Sequence, residues 1–324
     1  MTIISASRRT DIPAYYASWF MNRIRAGSFL RVNPFNPRQM KEISLAPADV
    51  AAIVFWTKNP APLISHLAEL DARGYRYYFQ FTLNPYDQRF EPHVPELGSR
   101  LATFCRLSDQ LGPDRVVWRY DPIILSSAMP LAFHLEQSAA LAAALKGHTK
   151  RLVFSFLDFY GKISGRVKEL YRKHGILLND IAAESCRAEL HSLMAHFGRL
   201  GDENGMEVFS CAEEVNLAEY GIRHGACVDG ELIRSLFGRG GSFARDRNQR
   251  GACCCVKSVD MGMYSTCPCQ CGYCYANRSE QMTLANLGKH DPNGPALLTG
   301  CPSGRNRSIT KITGRRSNRT PKKS

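Results

Sequence analysis

The 324-residue chain has no apolar run near the ~18 residues that cross a bilayer as a helix. Its start has no secretory core either, because a few apolar residues give way to Arg8 and Arg9. These absences predict a soluble, cytoplasmic protein with no membrane partner. No internal repeat is visible. Acidic residues are missing from one stretch: residues 303–324 carry eight Lys or Arg and no Asp or Glu. Of the formal net charge of +13, only +5 therefore belongs to residues 1–302. The body is mildly basic and the excess sits in a tail. Residues 301–324, rich in Ser, Thr, Asn and Gly, are expected to form a disordered basic tail. That tail suits nonspecific contact with nucleic acid or another polyanion, and equally a solvated end with no ligand.

Hydrophobic residues make up 44% of the chain, enough for a sizeable core. Short runs rich in Val, Ile, Phe and Tyr predict buried parallel strands at Ile3–Ser7, Ala52–Trp56, Tyr75–Thr82, Arg115–Arg119, Arg151–Phe156 and Glu207–Ser210. Between them, Leu190, Leu193, Met194 and Phe197 recur at helical spacing. Leu131, Leu135, Leu141 and Leu145 mark a second helix, with Gly147 as its stop. Strands alternating with helices imply βα units, spaced to suit an α/β barrel, partial or full. Residues 1–300 are expected to form one barrel domain, including a Cys-rich segment over 211–277. The glycine-interrupted stretch 217–250 is expected to be a loop-rich wrap.

Each predicted strand stops in a polar cluster, and α/β barrels build sites at such ends. The first end offers Arg8, Arg9 and Asp11, and the second Lys58 and Asn59. Gln80 and Asn84 follow from the third, Arg119 and Asp121 from the fourth, and Ser155 and Asp158 from the fifth; Glu213 lies past the sixth. Loops are polar in any case, so it is the repetition of the pattern that points to one mouth. Trp56, Trp118, Tyr78 and Tyr120 are candidate walls for it.

Of the twelve cysteines, seven fall between 253 and 274. In a cytoplasmic chain of this length such clustering points to metal or redox chemistry rather than disulfides. Cys267, Cys271 and Cys274 are spaced C-x3-C-x2-C, with Tyr273 before the last. Three thiolates on a short loop can hold three irons of a [4Fe–4S] cluster and leave the fourth open to a small molecule. Cys269, inside the loop, is expected to point away. Cys211, Cys227, Cys253 and Cys255 form a second set. They suit a second [4Fe–4S] cluster or zinc, against the plainer reading of a buried strand cysteine beside an accidental triplet. Cys105, Cys186 and Cys301 are read as structural or incidental.

The Cys267–Asn277 segment, CPCQCGYCYAN, resembles the radical S-adenosylmethionine (SAM) superfamily, and its ending resembles the spore photoproduct lyase-like branch. The resemblance implies a SAM-binding [4Fe–4S] cluster, reductive cleavage of SAM, and a reductant such as flavodoxin or ferredoxin. Two features depart from the superfamily. The cysteine loop lies near the end of the chain, which implies a circularly permuted barrel with a strand over Val256–Tyr264 leading into the loop. No Gly-Gly-Glu segment for the SAM amine is present. Ile3–Pro13, Val54–Pro60, Gln80–Tyr86, Trp118–Leu125 and Ser258–Asn277 also resemble the DUF1848 family, which supplies no substrate. The roles that follow are catalytic for Arg8, Arg9, Asp11, Arg119 and Asp121, and cofactor binding for Lys58, Asn59, Gln80, Asn84, Ser155 and Tyr273. The expected function is a radical SAM enzyme acting on a small molecule, peptide or nucleic acid. The alternatives are a zinc-stabilised nucleic-acid-binding module and an Fe–S electron-transfer protein without SAM cleavage.

Overall fold

The computed structural model describes residues 1–298 apart from 35, 160, 162 and 239–241; the basic tail and Cys301 lie outside the described residues. β1 (Thr2–Ala6) leads into α1 (Ile12–Tyr15) and α2 (Ala17–Ala26), then into an antiparallel hairpin of β2 (Ser28–Asn33) and β3 (Asn36–Ser44). β4 (Val50–Thr57), α3 (Ala61–Ile64), α4 (Leu67–Ala72), β5 (Tyr77–Thr82) and α5 (Leu97–Leu111) follow. Next come β6 (Val116–Ile123), α6 (Leu131–Ala144), β7 (Arg151–Phe156), α7 (Ser164–His174), α8 (Arg187–Asn204) and β8 (Glu207–Cys211). The last elements are β9 (Arg223–Gly225), α9 (Gly230–Phe237), β10 (Val259–Asp260) and α10 (Glu280–Leu287).

All six predicted strands form, and with β9 and β10 they make one eight-stranded parallel sheet in the order β10-β1-β4-β5-β6-β7-β8-β9. Only β10 breaks the chain order. It pairs with β1, with Ile4 opposite Val259 and Ser5 opposite Asp260. β9 and β10 are the two edges of an open sheet, so of the partial or full barrel expected, the full one does not form among the described strands. Edge strands of three and two residues offer few backbone groups with which to close a ring.

Successive strand residues point to opposite faces, and each face has its own core. Ile4, Phe55, Phe79, Trp118 and Phe154 pack against Phe20, Leu67, Leu107, Leu141 and Phe197 of the helices. Ile3, Val54, Tyr78, Val117 and Val153, from the alternate positions, pack instead with Ile233 of α9 and with Cys211, Cys227, Cys253 and Cys255. One face thus carries a helix layer, while the other carries α9 and the cysteine segment. A third cluster caps the strand ends and includes Tyr86, Phe90, Leu170, Cys269, Cys271 and Tyr273.

Two expectations need correction. The helix expected to stop at Gly147 ends at Ala144. The stretch 217–250 contains β9 and α9, not only loop. Its glycines Gly221 and Gly238 sit at element ends with φ of +74° and +62°, where they act as caps rather than breakers. Asp229 starts α9 by accepting from the amides of Glu231 and Leu232.

Candidate functional site

In a parallel sheet every strand ends on the same side, so the residues that follow the strands meet. They border a cavity of about 530 Å³. Arg8, Arg9, Asp11, Lys58, Arg119, Asp121, Ser155 and Tyr273 line it, together with Cys211, Cys227, Cys253, Cys255, Cys267, Cys271 and Cys274. Asn59, Gln80 and Asn84 do not. The Asn59 side chain accepts from the Ala61 amide at the start of α3. Gln80 Nε2 donates to the Cys227 carbonyl at 3.0 Å, and Asn84 exchanges hydrogen bonds with the Asp121 backbone. Gln80 and Asn84 thus support the lining from behind, while Asn59 holds the start of α3. Of the expected walls, Trp56 reaches the cavity, while Trp118, Tyr78 and Tyr120 are fully buried in the cores. Glu213 accepts from the Phe156 amide at 2.9 Å, and burial pushes its carboxyl up to about 7.

Most lining cations already have partners. Arg8 bonds Ser258 and stands 3.9 Å from Asp260. Asp260, missed in the sequence, also accepts from Ser5 Oγ, Ser7 Oγ and the amides of Arg8 and Gly262, and so ties β10 to the turn after β1. A side chain on Gly262 would meet Ser7 Oγ at 2.0 Å, so this crossing requires glycine. Asp11 accepts from the amides of Ala14 and Lys58, at 3.0 and 2.7 Å. Burial raises its carboxyl to about 6 against those bonds. Lys58 Nζ lies 2.7 Å from Glu91, a fully buried carboxylate that also accepts from Tyr273 at 2.5 Å and faces Arg100 at 3.7 Å. Arg119 donates to Asp121 at 2.6 Å and to Cys227 Sγ at 2.9 Å, and Ser155 bonds the other Asp121 oxygen. Arg9 is less engaged: it makes one 3.4 Å bond to the Gly262 carbonyl and lies 5.0 Å above the Tyr264 ring.

The Cys267–Cys274 loop is closed at its base by the Ser265 amide donating to Ala276 O and by Asn277 Nδ2 donating to Cys267 O. Arg166 donates to the carbonyls of Cys271 and Asn277 and clamps the loop from α7. Cys269 does not point away. It is buried, lines the cavity, and donates to Tyr15 Oη at 3.5 Å. Gln270, beside it, has φ +52°, and this left-handed residue turns the loop back on itself. Among the described residues the other non-glycine positions with positive φ are Ser265, just before the loop, and Ala212, just after Cys211. Backbone strain is thus concentrated at the thiol segments, as is common at functional sites.

All cysteines among the described residues are free thiols. Cys211 and Cys227 stand 2.9 Å apart. Two thiolates on one tetrahedral zinc would be ~3.8 Å apart, given Zn–S bonds of ~2.3 Å. Among the described residues no three His, Cys, Asp or Glu side chains are arranged to hold a single metal ion. The donor chemistry, two groups of four thiols lining one cavity, nevertheless matches what iron–sulfur clusters use.

The fold and site define an α/β protein with a parallel sheet whose strand ends converge on a thiol-lined cavity. A family model described as "Domain of unknown function (DUF1848)" matches residues 3–276, and the chain belongs to that family. No curated protein matches the chain. Among solved structures it is similar to one described as a candidate alpha-L-fucosidase from Bacteroides thetaiotaomicron, at 10% identity and a TM-score of 0.25, covering 60% of this chain and 86% of that one. A likeness that distant carries no argument. No helix among the described residues is long and apolar enough to cross a membrane.

Glu91, Arg166 and Asp260 escaped the sequence reading. Asp260 at least lies inside the stretch that carries the resemblance, whereas nothing near Glu91 or Arg166 marks either.

Proposed function

We propose that the chain is a radical-SAM-type enzyme built on an open, circularly permuted barrel, with Cys267, Cys271 and Cys274 as the holders of a [4Fe–4S] cluster. The observation that carries this reading is the position of β10. The strand that feeds the C-x3-C-x2-C loop is nearly last in sequence, yet it pairs with β1 and opens the loop onto the common cavity. A helix layer on one sheet face supports the same reading. With a cluster bound by Cys267, Cys271 and Cys274, the site would have the electron that reductive cleavage of SAM requires. Arg9, the least engaged of the lining cations described above, takes the SAM carboxylate through a charge-assisted pair. Ser155 and Asp121 would hold the ribose hydroxyls, with Asn84 fixing the Asp121 backbone from behind. Trp56, Tyr264 and Tyr273 exclude water from the reacting carbon. The reductant is a flavodoxin- or ferredoxin-type protein, and small molecules, peptides and nucleic acids are all compatible as substrates.

Oxygen-free purification, iron and sulfide counting, reduction and addition of SAM test the proposal. Formation of 5′-deoxyadenosine is expected, and Cys271→Ala abolishes both cluster and cleavage. Zinc without iron would overturn the reading and favour the zinc-stabilised alternative. An iron-loaded, reduced sample that leaves SAM intact would favour plain electron transfer. Deleting residues 303–324 should weaken salt-sensitive polyanion binding and leave cleavage unchanged.

A further inference from the structure

The four thiols of the second set come from three separate places. Cys211 ends β8, Cys227 follows β9, and Cys253 and Cys255 lie in the segment before β10. That segment is fixed by its backbone: the Val256 amide donates to Val228 O, the Asp246 amide to Cys255 O, and Arg245 Nε to Cys253 O. In extended chain, alternate residues share a side. Cys253 and Cys255 accordingly turn inward while Cys254 is exposed.

We propose that Cys211, Cys227, Cys253 and Cys255 hold a second [4Fe–4S] cluster, on the sheet side of the cavity. Three observations carry this. The four cysteines belong to one buried cluster on one cavity, with the Cys211 and Cys227 sulfurs 2.9 Å apart. An isolated buried cysteine behaves as a small hydrophobe, but four in contact serve no packing need that alanine or valine would not meet. The second observation is charge. The buried Arg119 guanidinium donates directly to Cys227 Sγ at 2.9 Å, and the Val228 amide donates to Cys255 Sγ at 3.4 Å. Donors aimed at sulfur are what a thiolate-bound cluster uses, because hydrogen bonds to its sulfurs stabilise their charge. Four thiolates around a 2+ core leave a net negative charge for Arg119 to balance.

The third observation is space. A closed structural zinc site needs only four sulfurs around one ion. These four border a cavity of about 530 Å³ and are not arranged around a single ion. A cubane core sets its thiolates farther apart than one ion does, so Cys211 and Cys227, 2.9 Å apart here, would separate into the cavity on loading.

The inference does not depend on SAM chemistry at the first loop. Its test is the metal content and EPR spectrum of full-length protein reconstituted without oxygen with iron and sulfide. Wild type should hold about eight irons and eight sulfides per chain. Cys267→Ala/Cys271→Ala/Cys274→Ala should keep about half of both and a reduced-cluster EPR signal. Cys253→Ser/Cys255→Ser should lose the other half, while Cys254→Ser keeps the full amount. Should the Cys253/Cys255 variant fail to fold, the half-loading of the triple variant still decides the question. A triple variant with no iron, or with one zinc and no sulfide, would overturn the second cluster. A wild type that loads both clusters but leaves SAM intact would overturn only the proposed function.

Discussion

The two thiol groups share one cavity but are supported in opposite ways. Behind the Cys267–Cys274 loop stands an anion: Glu91 gathers Lys58, Arg100 and Tyr273, the last of these part of the loop itself. Behind the second group stands a cation, Arg119, which touches sulfur itself. Each group holds thiols shifted both ways: Cys267 is lowered beside a raised Cys274, and Cys227 is lowered beside a raised Cys211. Burial pushes Cys274 up to about 12, with Cys271 and Cys267 adding to it. Cys227 is held well below its ordinary value by hydrogen bonds from Cys211 and Cys255, with Arg119 and Arg8 assisting. One group is positioned by packing and loop closure, whereas the other has a guanidinium in contact with one of its sulfurs.

The sharpest way to break this comparison is Glu91→Ala. It strands two buried cations, and removing one partner from a buried ion pair costs ~3–5 kcal/mol. The loss should appear in urea unfolding, with Cys271 alkylating faster and Cys227 unchanged. Equal acceleration at Cys227 would mean that the two groups form a single network.

Next in size is acid sensitivity from His134. The ring is fully buried between Tyr120 Oη and the Ile124 carbonyl, and burial lowers it to about 4. A depressed histidine leaves the fold at full strength above its unfolded value of ~6.5, and stability falls as pH drops from there toward 4. The loss amounts to ~3 kcal/mol. His134→Gln should flatten that slope in thermal melts between pH 7 and 4. His134 packs on Tyr86, which packs on Tyr273. Acid loosening should therefore reach the first thiol group before the second, as alkylation at each pH would report.

Arg119→Met probes the other side. Asp121 loses its partner, and because that carboxylate is 22% exposed solvent screens part of the cost, leaving ~2 kcal/mol. Cys227 should then alkylate more slowly, while Arg119→Lys restores charge without the two-pronged grip. If Arg119→Met leaves the Cys227 rate alone, direct charge coupling is not what distinguishes the second group.

The sheet was readable because parallel strands buried on both faces leave continuous apolar runs, such as Val50–Thr57 and Tyr77–Thr82. The β2–β3 hairpin left no such run, since much of it is exposed. The mouth was readable from its repeated polar strand ends, yet spacing alone could not separate lining from support. Gln80 and Asn84 look like ligand residues in sequence and instead hold Arg119 and Asp121. Glu91 was invisible because its partners Lys58, Arg100 and Tyr273 are scattered along the chain and meet only in the fold. Spacing did not show that Cys269 also lines the cavity, because its partner there, Tyr15, is far away in the chain.

The smallest effect tests whether the first group depends on its own local elements. Ser279 starts α10 by accepting from the Met282 amide. From the same helix, Asn286 Nδ2 donates to Ser265 O, at the base of the thiol loop. Ser279→Ala removes an N-cap worth ~1 kcal/mol and frays the first turn. Hydrogen exchange should quicken at the Met282 amide and, through Asn286, at the Ser265 amide, with Cys267 alkylating faster. The second group hangs on β8, β9 and α9, which this cap does not touch, so Cys227 should be unmoved. A matching change at Cys227 would mean that the cavity couples the two groups after all, and the contrast between them would be one of degree.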